Sequence, residues 1–373
     1  MDTLRTMDAA FAIGTDTFGP RRVLLIAELG TAHGGDESKA KDLVEAAAAS
    51  GADCVKFQHV YAEEILHPNT GIVPLPGGPI RLFDRFKELE VPLDFFADLK
   101  AFAESKGLIF LCTPFGLKSA AELRSLGVSV MKIASPELNY RALVEEVASY
   151  GLPTLLSSGV SRLADIERAL DILPAERSCL LHCVTAYPAP ETDYNLRVLA
   201  SLSAIFGVSV GVSDHSLDPE LVPVLATTVG ACAVEKHFCL SRADDGLDDP
   251  IALEPADFAR MVRAVREASR RGAAETLEAV ARERGAELAE AVLGDGVKRL
   301  APSERRNYER TNRSIHALRD IAAGETIRAE DIACLRTEKV LRPGLGPEWT
   351  AAVIGRRARY DIPAGEGIRL EDI

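Results

Sequence analysis

The sequence predicts an α/β protein, a (β/α)8 TIM barrel followed by a small β-rich domain. Three observations carry this. Eight short apolar runs follow one another from residue 23 to residue 238, and amphipathic helical stretches fill most of the gaps. The runs are apolar almost throughout rather than alternating, as parallel strands buried on both faces are. Beyond residue 312 the pattern stops and a short motif occurs twice.

The runs are VLLIAEL (23–29), CVKFQ (54–58), LIFLCT (108–113), VMKIA (130–134), TLLSS (154–158), CLLHCV (179–184), VSVGVSDH (208–215) and CAVEKHF (232–238). Between them lie stretches such as KAKDLVEAAAASG, RLADIERALDIL and DPELVPVLATTVG, several closing on the glycine that ends many helices. Eight units of this size fit a barrel. A doubly wound sheet has fewer strands and a Gly-rich first turn that this chain lacks. NTGIVPLPGGPI, between the second and third runs, is a Pro/Gly-rich loop of the kind that lies over a barrel mouth.

After the eighth unit the chain becomes rich in Arg and Glu through residue 312. Residues 1–285 are assigned to the barrel with an N-terminal extension, 286–312 to a linker and 313–373 to the small domain. In that domain DIAAGETIRAEDI (320–332) and DIPAGEGIRLEDI (361–373) agree at 10 of 13 positions, 41 residues apart, which predicts two related turns and pseudo-symmetry. Residues 1–20 leave open a cap or a loose arm.

Composition narrows the function. The chain has 373 residues, 47% of them hydrophobic and 27% charged, and no apolar run nears the roughly 20 residues of a membrane helix. Its formal charge of -13 repels polyphosphate backbones, so nucleic acid is not an expected partner. Seven cysteines without a C-x-x-C pair, and an N-terminus without a secretion signal, lead to the expectation of reduced thiols in the cytoplasm.

In a (β/α)8 barrel the chemistry sits at the C-terminal ends of the strands. Every run here ends in polar residues: Glu28; Lys56 and Gln58; Thr113; Lys132 and Ser135; Ser157 and Ser158; His182 and Tyr187; Ser213, Asp214 and His215; Glu235, Lys236 and His237. Lysines within apolar strands must pair or face a cavity, because a lone buried ammonium is costly. Three uses are open to Lys56 and Lys132: ion pairs with Glu28 or Glu235, a phosphate or carboxylate cradle shared with Ser135, Ser157 and Ser213, or Schiff-base chemistry. His215 and His237 end successive strands, where two imidazoles can share a divalent cation or serve as structural residues. His182, inside its strand, reads as a core histidine. Glu28 and Glu235 are acid–base candidates or partners of the lysines. DDGLDDP (244–250) is either a solvated loop or a set of carboxylates reaching the mouth.

Residues 26–58, IAELGTAHGGDESKAKDLVEAAAASGADCVKFQ, closely resemble the N-terminal signature of the sialic acid synthases, the phosphoenolpyruvate-dependent nonulosonate synthases. CTPF, MKIASPE, LLSSGV, LHCVTAYPAP, GVSDHSLD and VEKHF follow in that family's order and spacing. GDGVKRLAPSE resembles the family's linker, and RSIHALRDIAAGE the start of its C-terminal antifreeze-like (SAF) domain. The resemblance spans residues 22–373. It implies condensation of phosphoenolpyruvate with the open-chain form of an N-acylated hexosamine such as N-acetylmannosamine, releasing phosphate, in surface polysaccharide biosynthesis. It implies that Lys56, Thr113, Lys132, Ser135, Ser157 and Ser213 hold phosphoenolpyruvate, and that Glu28 and Glu235 transfer protons. His215 and His237 would bind Mn2+ or Mg2+, and Tyr187, Thr185 and Asp248 would face the sugar. Arg313 matches an arginine that, in the family, a partner subunit's SAF domain supplies to the sugar pocket, which implies a domain-swapped homodimer.

Three positions depart from the family pattern: Ala32 and Thr185 stand where Asn is usual, and Gly246–Asp249 reads GLDD rather than GPDH. All three fall on or near the sugar side. They leave open an acceptor leading to legionaminic or pseudaminic acid, a spore-coat type acceptor, or a barrel that binds sugar without turnover.

Overall fold

The computed structural model describes residues 10–75, 78–338 and 340–373, with the side chains of 74 and 75 excepted. The N-terminal residues 1–9, and positions 76 and 77 of the Pro/Gly-rich segment, lie outside the described residues. All eight apolar runs are strands: β1 (Leu24–Gly30), β2 (Cys54–His59), β3 (Ile109–Pro114), β4 (Met131–Ile133), β5 (Thr154–Ser157), β6 (Ser178–Cys183), β7 (Ser209–Asp214) and β8 (Ala233–His237). They form one sheet in the order β3-β2-β1-β8-β7-β6-β5-β4, all parallel. The outer strands β3 and β4 pack against each other, which closes the barrel.

Local chemistry explains the helices. In the first, Glu37–Ala49, Asp36 caps the start by accepting from the Ser38 and Lys39 amides at 2.8 and 3.2 Å, and Gly51 turns the chain at φ +87°. Ala40, Leu43, Val44 and Ala47, spaced three and four apart, bury one face on the strands.

A short hairpin, Phe11–Ile13 paired with Asp16–Phe18, sets Phe11, Ile13 and Phe18 against Leu24, Ile26, Cys54, Leu111 and Leu181 inside the barrel. Residues 11–18 are therefore a plug at the end of the barrel opposite the strand C-termini. Truncating Phe11 there costs about 3–5 kcal/mol. The helices Ala273–Arg284 and Ala286–Leu293 both pack on the barrel's outer layer through Val280, Ala289, Val292 and Leu293, so the irregular connection starts at Gly294.

In the small domain the repeat is a structural pair. Ile321 and Ile362, equivalent in the two copies, bridge each other through both backbone hydrogen bonds, and Asp331 and Asp372 each cap their own turn. Ile327 and Ile368 fill its core. The domain has less strand than its β-like runs suggest, namely Ser314–Ala317, Ile332–Leu335 and single bridges, because 3-10 turns occupy the rest of each copy. It sits on the mouth of its own barrel, where the Arg336 amide donates to the Ile65 carbonyl and Asn69 donates to the Ala364 carbonyl. No helix among the described residues is long and apolar enough to cross a membrane.

Candidate active site

The pleat selects which side chains reach the interior. Leu24 and Ile26 line the lower barrel, so Glu28, two residues on, faces the same space; Cys54 likewise places Lys56, and Leu111, Val130, Leu155 and Ala233 place Thr113, Lys132, Ser157 and Glu235. These groups meet near the C-terminal ends of their strands. Lys132 Nζ lies 2.8 Å from Glu235 Oε2 and donates to Ser157 Oγ at 2.7 Å. Lys56 Nζ is 2.7 Å from Glu28 and 3.7 Å from Glu235, and donates to Thr113 Oγ1 at 3.3 Å. Ser213 Oγ donates to Glu235 at 2.9 Å. Cradle and ion-pair readings thus describe the same atoms, since the carboxylates neutralise the very lysines that would hold an anion.

The two glutamates differ. Burial, with the nearby charge of Glu235, pushes Glu28 up to about 7 against the pull of Lys56. Burial alone would raise Glu235 too, but the ammonium groups of Lys132 and Lys56 hold it down to about 2. Two carboxyls with separated proton affinities divide the work: Glu28 exchanges a proton near neutrality and Glu235 stays charged. For Lys132, burial lowers the proton affinity and outweighs Glu235, whereas Lys56 is held raised by Glu235 and Glu28 despite burial.

Ser135 stands apart from that network. Its Oγ accepts from the Gly159 amide at 3.0 Å, and a Cβ on Gly159 would lie 2.1 Å from Thr185 Oγ1, so glycine is what lets the backbone approach here. Thr185 Oγ1 is buried without a hydrogen-bond partner among the described residues. Tyr187 stacks on His215 with ring centroids 4.3 Å apart, and the peptide from Tyr187 to Pro188 is cis.

His215 and His237 have ring centroids 5.4 Å apart. Among the described residues no third His, Cys, Asp or Glu joins them in a metal-holding group, and Asp248 comes within 3.8 Å of His237 Nδ1. The pair nevertheless fits a divalent cation. The Val184 carbonyl accepts from His215 Nδ1 at 2.9 Å, so a cation would bind at Nε2, displacing a proton that Cys183 holds there against burial, up to about 9, while burial holds His237 neutral, down to about 4. Two imidazoles would take two positions of a hard cation and leave the remainder to water and substrate oxygens.

Arg313 is placed differently from the sugar contact that the sequence implies. Its guanidinium is buried and its donors go to Glu137 and to the carbonyls of Glu64, Ile65, Phe115 and Cys334, so it seats the small domain. From the same domain, Arg336 projects its charge onto Tyr187. His182 is a core residue: its Nε2 donates to the Tyr194 carbonyl at 2.6 Å. Lys236 is structural, paired with Asp214 at 2.5 Å.

Two residues that the sequence marks take contacts there that it does not announce. Gln58 donates to Glu28 Oε1 at 2.7 Å, a role visible only in its sharing a face with Lys56. Glu304, from the connection, accepts from the Val160 and Thr185 amides, both at 2.9 Å, and no local pattern announces contacts 144 and 119 residues away.

The NeuB family model matches residues 43–275, well over half of the chain, and the SAF domain model matches residues 312–373. The chain belongs to the NeuB family. The spore coat polysaccharide biosynthesis protein SpsE of Bacillus subtilis is 33% identical over 377 residues, covering 98% of this chain and 97% of its own. A crystal structure of SpsE superposes with a TM-score of 0.80 at 32% identity, covering 98% of this chain and 99% of that one. An N,N'-diacetyllegionaminic acid synthase of Legionella pneumophila is 32% identical over 363 residues, 94% of each chain. Barrel, SAF domain and family are as the resemblance implies.

Proposed function

We propose that this family member is a nonulosonic acid synthase, a transferase that joins phosphoenolpyruvate to the aldehyde carbon of an N-acylated hexosamine such as N-acetylmannosamine and releases phosphate. The observation that carries the reading is the convergence of Lys56, Lys132, Glu28 and Glu235 on one buried point beside the two histidines. Lys56, Lys132, Thr113, Ser157 and Ser213 hold the phosphoenolpyruvate anion, with Ser135 at the Gly159 edge, through charge-assisted hydrogen bonds. C3 of phosphoenolpyruvate bonds to the aldehyde carbon, water adds at C2, and the C2–O bond to phosphate breaks, leaving a 2-keto acid. Glu28, which exchanges a proton near neutrality, supplies it to the aldehyde oxygen as that becomes a hydroxyl. Glu235 keeps both lysines protonated and in place. A divalent ion, Mn2+ or Mg2+, held by His215 and His237 would act as a Lewis acid toward the aldehyde.

Tyr187, Thr185 and Asp248 face the sugar, and Ala32 with the 246–249 segment shapes the same side. The names of the relatives support acceptors of the legionaminic and spore-coat types alongside N-acetylmannosamine. In this reading the enzyme is cytoplasmic and a homodimer, in which exchange of SAF domains would preserve every contact of Arg313.

Phosphate release from phosphoenolpyruvate, measured with Mn2+ over a panel of N-acylated hexoses, tests the proposal. Release with one sugar, lost with chelator and in His215→Ala, is the expected result. Release that persists in chelator and is trapped by borohydride would move the chemistry to a lysine Schiff base. Sugar binding without any release would leave a binding protein.

A further inference from the structure

Outside the barrel mouth, between β6 and the connection to the SAF domain, lies a cleft of about 380 Å3 lined by His182, Thr192, Lys298 and Arg305 among others. His182 faces it from the outer side of β6, because Leu181 on the neighbouring position lines the barrel interior. The imidazole is 4% exposed. Its Nε2 hydrogen is committed to the Tyr194 carbonyl, so Nδ1 carries a lone pair, and that buried nitrogen has no donor among the described residues. Among the described residues Lys298 Nζ finds a single acceptor, the Ser158 carbonyl at 3.1 Å. The Arg305 guanidinium makes no ion pair or hydrogen bond among the described residues.

Among the described residues the acids of the cleft make no ion pair with Lys298 or Arg305. Asp295 is bonded to Arg299 at 2.8 and 3.1 Å, and Asp193 accepts from the Ser303 amide at 2.9 Å. Glu304, just beyond, takes three backbone amides. Neither Lys298 nor Arg305 has an ion-pair partner among the described residues, the Glu304 carboxylate acting on Lys298 only at longer range, and one buried acceptor lacks a hydrogen. We propose that this cleft is a second ligand site, for a small anion that also carries a hydroxyl: its charge meets Lys298 and Arg305, and its hydroxyl donates to His182 Nδ1. Hydroxycarboxylates and monohydrogen phosphate share that chemistry. The site adjoins the barrel mouth covalently, since the Ser158 carbonyl that Lys298 holds belongs to the residue after Ser157, and the Ser158 amide donates to the Leu181 carbonyl next to His182.

Titration calorimetry on the full chain with L-malate, N-acetylneuraminate and inorganic phosphate tests it, comparing wild type with Arg305→Ala, Lys298→Met and Lys132→Met. Arg305 is exposed, so its variant folds even if Lys298→Met does not. For at least one probe a saturable binding phase is expected that is weakened about tenfold or more in Arg305→Ala and Lys298→Met, as loss of a charged hydrogen bond requires, and that is retained in Lys132→Met even where that variant removes product binding at the barrel mouth. The two carboxylates binding and phosphate not, or the reverse, decides between the sources. Binding that vanishes in Lys132→Met and persists in Arg305→Ala would assign the anion to the barrel mouth and overturn the proposal, as would no saturable binding of any probe.

Discussion

Lys132 and Glu235, 103 residues apart in the chain, meet at 2.8 Å inside the barrel, and the other oxygen of the same carboxylate lies 3.7 Å from Lys56. Glu235 is thus the shared counter-charge of two buried ammonium groups. Removing one member of a buried pair leaves an uncompensated charge and costs about 3–5 kcal/mol. Glu235→Gln keeps the shape and removes that charge, so both lysines lose proton affinity together. Phosphate release should fall by about 100-fold or more, with a lower Tm. Ser213→Ala removes one hydrogen bond to the same carboxylate and should cost about 1.5–3 kcal/mol of transition-state stabilisation at most. The opposite ranking in kcat/KM would show that Glu235 is not the centre of the network.

Glu28 fixes the pH dependence. Its affinity is raised to about 7, so it is protonated below that pH and ionised above it. A proton donor to the aldehyde oxygen is then lost as pH rises, and kcat/KM should decline on the alkaline side of pH 7. Gln58 donates to the ionised carboxylate and lowers its affinity. Gln58→Ala should therefore move the alkaline limb to higher pH without abolishing it. A limb that stays fixed in Gln58→Ala would assign the titration to another group.

Strand parity explains how much of the site is legible in the sequence. Apolar runs mark the strands, and alternation within each run puts Glu28, Lys56, Lys132 and Glu235 on the face that turns inward. The same alternation turns Lys236 outward, where Asp214 and the Ser216 and Asp218 carbonyls hold it. What escapes is non-local. Glu137 joins Arg313 and Arg336 across 176 and 199 residues, and although it closes the MKIASPE motif, nothing in that motif names partners so far along the chain. Repeat similarity reveals the symmetry of the SAF domain but overstates its strands, because each copy closes its turn with 3-10 geometry around an aspartate cap.

Buried neutral histidines should make the fold acid-labile. Burial lowers His33 and His316 to about 4 and His182 to about 3, and each side chain is enclosed. In the unfolded chain a histidine takes up its proton near pH 6.5. Stability from these groups is thus fully present above pH 6.5, and it is lost as pH falls through the window down to about 4. Each contributes on the order of 2 kcal/mol between pH 7 and pH 5. His316 bonds to the Gly365 carbonyl at 2.8 Å and to Ser314 at 2.8 Å. Thermal melting at the two pH values should show a smaller difference in His316→Gln than in wild type; equal differences would remove His316 from the account.

Glu137 is the latch of the SAF domain. One of its oxygens receives Arg313 at 2.8 and 3.0 Å and Arg336 at 2.6 and 3.0 Å, with the carboxylate and Arg313 both enclosed. Arg313→Lys should be as damaging as Arg313→Ala, because an ammonium cannot reach Glu137 and the Phe115 and Cys334 carbonyls at once. Loss of the latch should free the domain to proteolysis and lower phosphate release, since Arg336 leaves Tyr187 with it. The same residues decide whether two chains exchange domains. In a mixed dimer of Glu137→Ala and Arg313→Ala chains, each barrel covered by its own SAF domain keeps one defect, and no mouth is intact. With exchanged domains, one mouth pairs a native Glu137 with a native Arg313 while the other carries both defects. Co-expression should then restore about half of the wild-type phosphate release per heterodimer, by the additivity expected of independent mouths. No recovery in a purified heterodimer would place each SAF domain on its own barrel.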